Sequence, residues 1–297
     1  MSLCFTVFTP TYNRAHTLWR VYDSLKAQTF RDFEWLIVDD GSSDGTEDMV
    51  RQWMKTSNFS IRYFYQNNQG KHIAFNRGVS EANGELFLTL DSDDTCVPHA
   101  LERFHHHWES ISIQDRPKFS GVTCLCMNSH GQVIGSKFPA DGMDSDPITM
   151  ETRYRIAGEK WGFHRTDVLR DFPFPVISGE CFVPEGLIWN RIARKYKLRF
   201  INEPLRIFEM LPEGLSSSIT RIRVNSPRSA RMYYQEYLQA DIAWLNKAKA
   251  AINYIRFSLH ANISVSSIEM GRDLKLAVLW PVAYLAFRRD RNRLGGL

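Results

Sequence analysis

The feature that most restricts the fold is an alternation in the N-terminal third. Cys4 to Phe8, Phe33 to Val38, Ile61 to Tyr65 and Glu85 to Leu90 are apolar runs of strand length. Between them lie Leu18, Val21, Tyr22 and Leu25, then Met49, Val50 and Trp53, each set at helical spacing, and then the helix-length segment Lys71 to Ser80. A strand buried on both faces reads as a near-continuous apolar run, and strands alternating with helices argue for a mainly parallel sheet covered on both sides. Ligands bind such sheets beyond the carboxyl ends of the strands. Those ends carry Thr9 to Arg14, Asp39 to Gly45, Asn67 to Lys71 and Asp91 to Asp94, so four polar loops converge on one edge.

The fourth loop is the most unusual. Leu88-Thr89-Leu90 breaks into Asp91-Ser92-Asp93-Asp94, three carboxylates within four residues. Buried free charge is costly, so these acids should emerge where the strand leaves the sheet. A divalent cation with oxygen preferences, Mg²⁺ or Mn²⁺, would relieve their repulsion and keep positions open for substrate phosphates. An acidic turn capping a helix that begins near Pro98 fits the same residues.

The rest of the chain is less eloquent. With 297 residues, 43% of them hydrophobic and 24% charged, it can bury a sizeable core, and wholesale disorder is excluded. The first residues enter a strand without a signal-peptide pattern. Five cysteines form no pair of zinc-type CxxC motifs and read as small buried apolar residues of a cytoplasmic protein. Leu101, Phe104, His105 and Trp108 mark a helix, on which the consecutive His105, His106 and His107 point apart and read as a solvated face. Gly121 to Met127 reads as a strand, with Asn128 to Gly131 turning into a short antiparallel partner, and Pro139 to Asp146 as a mobile loop. Leu198 to Ile201 and Leu205 to Phe208 read as two short strands, and Leu211 to Ser218 as a loop. From Pro227 the chain reads as helical, with Tyr233, Tyr234, Tyr237, Leu238 and Trp244 as packing residues.

Charge divides the chain. From residue 221 onward there are 13 Lys or Arg against 5 Asp or Glu, whereas the remainder is net acidic within a total of +4. This suggests a domain over 1–220 and a basic, mostly helical extension over 221–297. Near its end Leu274 to Phe287 is apolar apart from Lys275 and runs into Arg288, Arg289, Arg291 and Arg293. Fourteen residues are too few to span a bilayer, but suit a helix lying on an anionic membrane surface or a core helix with a basic exit. A second informative stretch is Gly179 to Arg191, where Pro184 fits the first turn of a helix burying Leu187, Ile188, Ile192 and Tyr196. Glu185 would then sit at a helix N-terminus, whose dipole favours a carboxylate acting as proton acceptor or as a plain capping charge.

Phe8-Thr9-Pro10-Thr11-Tyr12-Asn13-Arg14, Ile37 to Thr46, Asn68-Gln69-Gly70 with Ala74, Asn76, Arg77 and Gly78, and Leu90-Asp91-Ser92-Asp93-Asp94 occur in one order, each at an expected strand end. Together they resemble family 2 glycosyltransferases of the GT-A fold, which transfer a sugar from a nucleotide diphosphate donor with inversion. The likeness covers the first third closely. It implies that Thr9, Pro10, Tyr12 and Arg14 line the pocket for the donor base, that Asp39 accepts a hydrogen bond from a uracil ring, and that Lys71 reaches the ribose or phosphate. By the same resemblance Asp91 and Ser92 lie on the donor side, Asp93 and Asp91 are the ligands of Mn²⁺ or Mg²⁺ in the DXD manner, and Asp94 is no more than a helix cap. The family often shows an acidic pair six positions before an Arg; here Pro184 replaces the first acid, Glu185 the second, and Arg191 the Arg. Glu185 is therefore the implied catalytic base, with Glu180 competing.

The implied partners are a nucleotide-sugar, most simply a UDP-sugar, and a saccharide or lipid-linked acceptor in surface polysaccharide or lipopolysaccharide synthesis, with the tail at the inner membrane face. A sugar nucleotidyltransferase normally needs a Gly-rich basic loop after the first strand, and Thr9 to Arg14 holds no Gly. A non-catalytic nucleotide-binding protein is the other alternative. Nucleic acid is disfavoured, because the basic residues cluster in the tail and the loops at the sheet edge are acidic.

Overall fold

The computed structural model describes residues 3–208, 219–240, 242–264 and 278–294, so the expected loop at 211–218 and the first part of the apolar segment at 274–277 lie outside the described residues. The chain divides into two compact units. Met1–Pro173 with Ile192–Met210 forms the first, and Phe174–Arg191 with Leu211–Leu297 the second. The second unit thus takes in Phe174–Arg191, which a boundary at residue 220 leaves with the first.

The first unit is built on a mixed nine-stranded sheet. Its elements are β1 (Leu3–Thr11), α1 (Ala15–Lys26), β2 (Phe33–Asp39), α2 (Thr46–Thr56), β3 (Ser60–Tyr65), α3 (Lys71–Glu81), β4 (Gly84–Thr89), β5 (Thr95–Cys96), α4 (Ala100–Glu109), β6 (Phe119–Met127), β7 (Met143–Ser145), α5 (Pro147–Thr152), β8 (Lys160–Arg165), α6 (Thr166–Asp171) and β9 (Lys197–Ile207). The order is β3-β2-β1-β4-β8-β6-β9-β5, with β7 also on β9. The β3-β2-β1-β4 half is parallel, as the alternation requires. β8 then enters antiparallel between β4 and β6, and β6 pairs parallel with β9.

Several boundaries differ from the sequence reading for identifiable reasons. β1 continues through Thr9, Pro10 and Thr11 because its ladder with β2 holds as far as Thr11 opposite Asp39. The two short strands after Leu198 are one strand, β9, whose register slips near Pro204 absorb the missing N–H. The turn at Asn128 leads only to an isolated bridge between Met127 and Val133, and the loop 139–146 contributes β7 to the sheet. β8 was not anticipated. Only Trp161 and Phe163 of Lys-Trp-Gly-Phe-His-Arg face the core, and a Cβ on Gly121 would overlap the Phe163 carbonyl, so glycine is what lets β6 approach it.

Two polar networks brace this unit. Glu34 is fully buried near the start of β2, where it accepts from Thr6 Oγ1 at 2.7 Å, Asn83 N at 2.8 Å and Arg62 Nη1 at 3.2 Å. A buried carboxylate is tolerable only with such a full set of partners. The second ties α4 to β9. Arg103 donates to both oxygens of Glu203 at 2.8 Å, and His107 Nε2 lies within hydrogen-bond distance, 2.6 Å, of Oε1, so of the three consecutive histidines His107 is tied to Glu203 rather than left to solvent. The Arg103 hydrogen bonds draw the Glu203 carboxyl down to about 2 from 4.5, against burial and with help from His107. A depressed carboxyl contributes stability above its unfolded pKa and loses it as pH falls through the folded one. Wild type should therefore exceed Glu203→Gln by on the order of 2 kcal/mol above pH ~5, a margin that closes between about pH 4.5 and 2. Urea unfolding of both chains over that range checks it; a constant margin would mean that Glu203 is not charged against Arg103.

The second unit contains most of α7 (Gly186–Ala193), then α8 (Ile219–Asn225), α9 (Pro227–Leu238), α10 (Trp244–His260) and α11 (Trp280–Arg293). Tyr254, Ile255 and Ala283 form its core, Tyr234 stacks on Phe257, and Asp290 holds α11 to α10 through Arg256 at 2.6 Å and His260 at 3.0 Å. Trp244, expected as a packing residue, opens α10 at 59% exposure. Among the described residues no helix is long and apolar enough to cross a membrane.

Candidate active site

The loops at the carboxyl edge are laced together before any ligand is considered. Asn13, in the left-handed region at φ 53°, donates its N–H to Ser42 Oγ at 2.8 Å and accepts from Ser43 N at 2.9 Å. Ala15 N donates to Asp44 Oδ2 at 2.9 Å. These bonds join the loop after β1 to the loop after β2. Asp40 joins the third: it is buried and accepts from Gln66 Nε2 at 2.8 Å, Gln69 N at 3.0 Å and Gly70 N at 2.7 Å. Gly41 at φ 95° lets Asn68 approach, since an added Cβ would lie 2.9 Å from its N. The sequence reading singled out Asp39 and passed over Asp40, although the pair Asp39-Asp40 before a glycine was there to be read.

The residues expected at the donor base fall into two groups. Thr9 is fully buried, its hydroxyl donating to the Leu90 carbonyl at 2.8 Å and accepting from Trp35 Nε1 at 2.9 Å. Its side chain therefore couples β1 to the root of the acidic loop instead of facing a ligand. Pro10 is likewise buried in β1, whereas Tyr12 is 50% exposed and Arg14 immediately precedes α1. Asp39 is fully buried and accepts from Ser42 N and from the Tyr63 hydroxyl, both at 2.7 Å. Burial, and then the bond to Asp39, raises the Tyr63 phenol and keeps it a donor. Nearby, the Thr11 hydroxyl and both ring nitrogens of His72 are buried with no hydrogen-bond partner among the described residues, and burial pushes the His72 imidazole below its ordinary value against the pull of Asp40. Buried polar atoms are nearly always partnered, so these orphans, invisible in sequence, mark places for water or a polar ligand.

Among the described residues each acid of the loop faces a cation from another segment. Lys71 Nζ, opening α3, lies 2.8 Å from Asp91 Oδ1; Arg14 lies 4.0 Å from Asp93 Oδ2; Arg206, from β9, lies 3.1 Å from Asp94 Oδ2. Burial works to raise the Asp91 carboxyl, but the charges of Lys71, Arg206 and Arg14 outweigh it and hold Asp91 below the usual carboxylate range. Asp94 is the buried member. Burial drives its carboxyl upward, with Asp91 and Asp93 adding to the push and Arg206 opposing it. This corrects the reading of Asp94 as a helix cap, and of the loop as a capping turn: α4 starts at Ala100 behind His99 with no side-chain cap, and Asp94 faces Arg206. Ser92 is buried, while Asp91 and Asp93 keep 33% and 23% of their side chains exposed.

Two partly exposed carboxylates fit Mg²⁺ or Mn²⁺, which typically take one or two protein carboxylates and leave the remaining positions to water and substrate phosphates. Among the described residues no three acidic, His or Cys side chains are grouped as a metal site. In the second unit, Glu180 is buried and spends both oxygens on the N-terminus of α9, accepting from Arg228 N at 2.7 Å and Ser229 N at 2.9 Å. That bidentate capping gives both oxygens of Glu180 a structural duty. Glu185 is exposed, and its carbonyl accepts from Ile188 and Trp189, so it caps α7 and Pro184 precedes the helix. Leu187, Ile188 and Ile192 are buried as expected, and Arg191 pairs with Glu236 at 2.8 Å.

A mainly parallel sheet with four laced polar loops and an acidic run at its carboxyl edge defines an α/β protein of the GT-A type. The model of the family described as Glycosyl transferase family 2 matches residues 6–165, over half of the chain, and the chain belongs to that family. An uncharacterized glycosyltransferase of Nostoc sp. is 42% identical over 108 residues, covering 36% of this chain and 34% of the relative. The GalNAc(5)-diNAcBac-PP-undecaprenol beta-1,3-glucosyltransferase of Campylobacter jejuni is 25% identical over 239 residues, 79% of this chain and 72% of its own. Among solved structures, S. aureus TarS 1-349 in complex with UDP shares the fold at TM-score 0.63 and 19% identity, over 98% of this chain and 88% of that one. The chain spans 49% of the longer S. aureus TarS chain. The mannosyltransferase PcManGT of Pyrobaculum calidifontis, in complex with GDP-Man and Mn2+, shares the fold at TM-score 0.57 and 18% identity, over 100% and 84% of the two chains.

Proposed function

We propose that the chain moves a sugar from a UDP-sugar donor, with Mn²⁺ or Mg²⁺, to a saccharide or lipid-linked acceptor in surface polysaccharide or lipopolysaccharide synthesis. The observation that carries this reading is the pairing of Asp91 with Lys71 and of Asp93 with Arg14, two partly exposed carboxylates facing two cations from other loops. A diphosphate entering here meets both kinds of group it needs. Its oxygens would pair with Lys71 and Arg14, and Asp93 and Asp91 would hold the cation. When bound, such an ion supplies Lewis-acid stabilisation of the charge that grows on the departing diphosphate.

The chain's own residues do the rest. Tyr12 offers an exposed ring to the base, Asp39 retains lone pairs for a uracil N–H, and Asp94 with Arg206 keeps the acidic loop anchored. Glu185 takes the proton of the acceptor hydroxyl as it attacks the anomeric carbon, while the bond to the diphosphate breaks. The ligands bound in the S. aureus TarS structures, UDP and UDP-GlcNAc, support the donor class, and the Mn2+ of the Pyrobaculum structure supports the metal. The Campylobacter relative, named for an undecaprenol-linked acceptor, supports the acceptor class.

A thermal-shift panel of UDP-, GDP- and dTDP-sugars with and without Mn²⁺ tests the reading. UDP-sugars with Mn²⁺ should stabilise the chain by about 2.7 kcal/mol at 100 times their dissociation constant. A preference for another nucleotide, or a shift indifferent to the metal, would overturn it. UDP release dependent on an acceptor separates this reading from a non-catalytic nucleotide-binding protein.

A further inference from the structure

Helix α11 carries an outward side that sugar transfer does not use. Ala283 and Asp290 are buried, and Ala283 packs with Tyr254 and Ile255 of α10. Those residues mark the inward side. Opposite them lie Val278, just before the helix, at 77% exposure, then Val282 at 50% and Leu285 at 68%, an i, i+4, i+7 stripe. The same stripe continues into exposed Arg288 and Arg289, with exposed Arg291 and Arg293 flanking it. The one acid of α11, Asp290, is turned inward and held by Arg256 and His260. The outward side is therefore apolar at its start, cationic at its end, and free of negative charge.

The geometry points to an anionic lipid surface as the partner of this side, with α11 entering obliquely, its start in the acyl boundary and its arginines at the headgroup phosphates. The gradient along the helix matches the gradient across a membrane interface. From Val278 to Leu285 a helix rises about 10 Å, close to the ~5–10 Å to which interfacial helices sink, and each arginine near an anionic surface adds roughly fivefold in partition. A protein partner would instead need an apolar pocket next to an acidic rim of matching length. The inference stands apart from the donor chemistry, since Asp93→Ala should bind vesicles as wild type does.

Co-sedimentation of the full chain with phosphatidylcholine vesicles, with and without phosphatidylglycerol, tests it. The expected result is at least about tenfold stronger partition onto the phosphatidylglycerol vesicles, weakening as salt rises. Val282→Glu with Leu285→Glu should lower it at least about tenfold, and Arg288→Glu with Arg289→Glu about 25-fold or more with loss of the preference for charged lipid. All four side chains are exposed, so circular dichroism and the thermal midpoint should stay at wild-type values. Equal binding to neutral vesicles, or unchanged partition of both double variants, would overturn the proposal. So would a dimer in solution that Leu285→Glu dissociates while wild type ignores vesicles, which would assign this side to a second copy.

Discussion

Asp93→Ala is expected to abolish sugar transfer and to remove the Mn²⁺ dependence of UDP binding. Asp93 is the partly exposed carboxylate of the acidic loop whose nearest cation, Arg14, stands 4.0 Å away, the loosest of the three pairings. It is therefore the acid most readily given over to an ion. Two unit charges about 4 Å apart interact by about 4 kcal/mol at an effective dielectric near 20, so losing the ion that Asp93 would hold beside the diphosphate would cost several powers of ten in rate. Calorimetric titration of UDP with and without Mn²⁺ measures the binding half of this expectation. The variant should show one weak, metal-indifferent isotherm. Retention of metal-enhanced UDP binding by Asp93→Ala would move the ion elsewhere. The fold should survive, because Asp93 is on the surface of the loop while Asp94 and Arg206 anchor it.

Glu185→Gln carries the second large effect. Donor binding should stay within about twofold of wild type, while kcat falls by about 10²- to 10⁴-fold, the usual contribution of a positioned base. The substitution keeps the shape of the side chain and leaves the backbone carbonyl that caps α7 untouched, so loss of rate with an unchanged thermal midpoint separates chemistry from folding. Glu180→Gln should behave in the opposite way. Its carboxylate holds two N–H groups at the start of α9, and the loss of charge there lowers stability first. Near-normal turnover by Glu185→Gln would leave the proton acceptor to be sought among other groups.

The parallel half of the sheet was legible because its information is local. Each of β1 to β4 is a largely apolar run of strand length, buried on both faces in β1 and β2 and partly exposed in the edge strand β3, and each turns at once into a polar loop. β8 was not, since a strand placing only Trp161 and Phe163 in the core offers no run to detect, and its antiparallel place between β4 and β6 is set by long-range packing. The same holds for the site. Asp91 and Asp93 stand out in sequence by their own clustering. Asp94 looks like their equal, and only its distance to Arg206 on β9 shows it to be an anchor. Glu180 and Glu185 are two carboxylates five positions apart; the partners that separate their duties are backbone N–H groups at Arg228 and Ser229, which carry no side-chain signal. Thr9 belongs to a ligand-facing motif by sequence yet spends its hydroxyl between Trp35 and Leu90, because the ladder of β1 extends further than an apolar run can indicate.

Anomalous diffraction from crystals of the chain grown with UDP and Mn²⁺ tests the central claim most directly. The account predicts a manganese peak bound to the Asp93 carboxylate and to the diphosphate, with Lys71 and Arg14 turned from Asp91 and Asp93 toward phosphate oxygens. A diphosphate bound with manganese remote from Asp91 and Asp93, or UDP bound away from the carboxyl edge of β1 to β4, would contradict it.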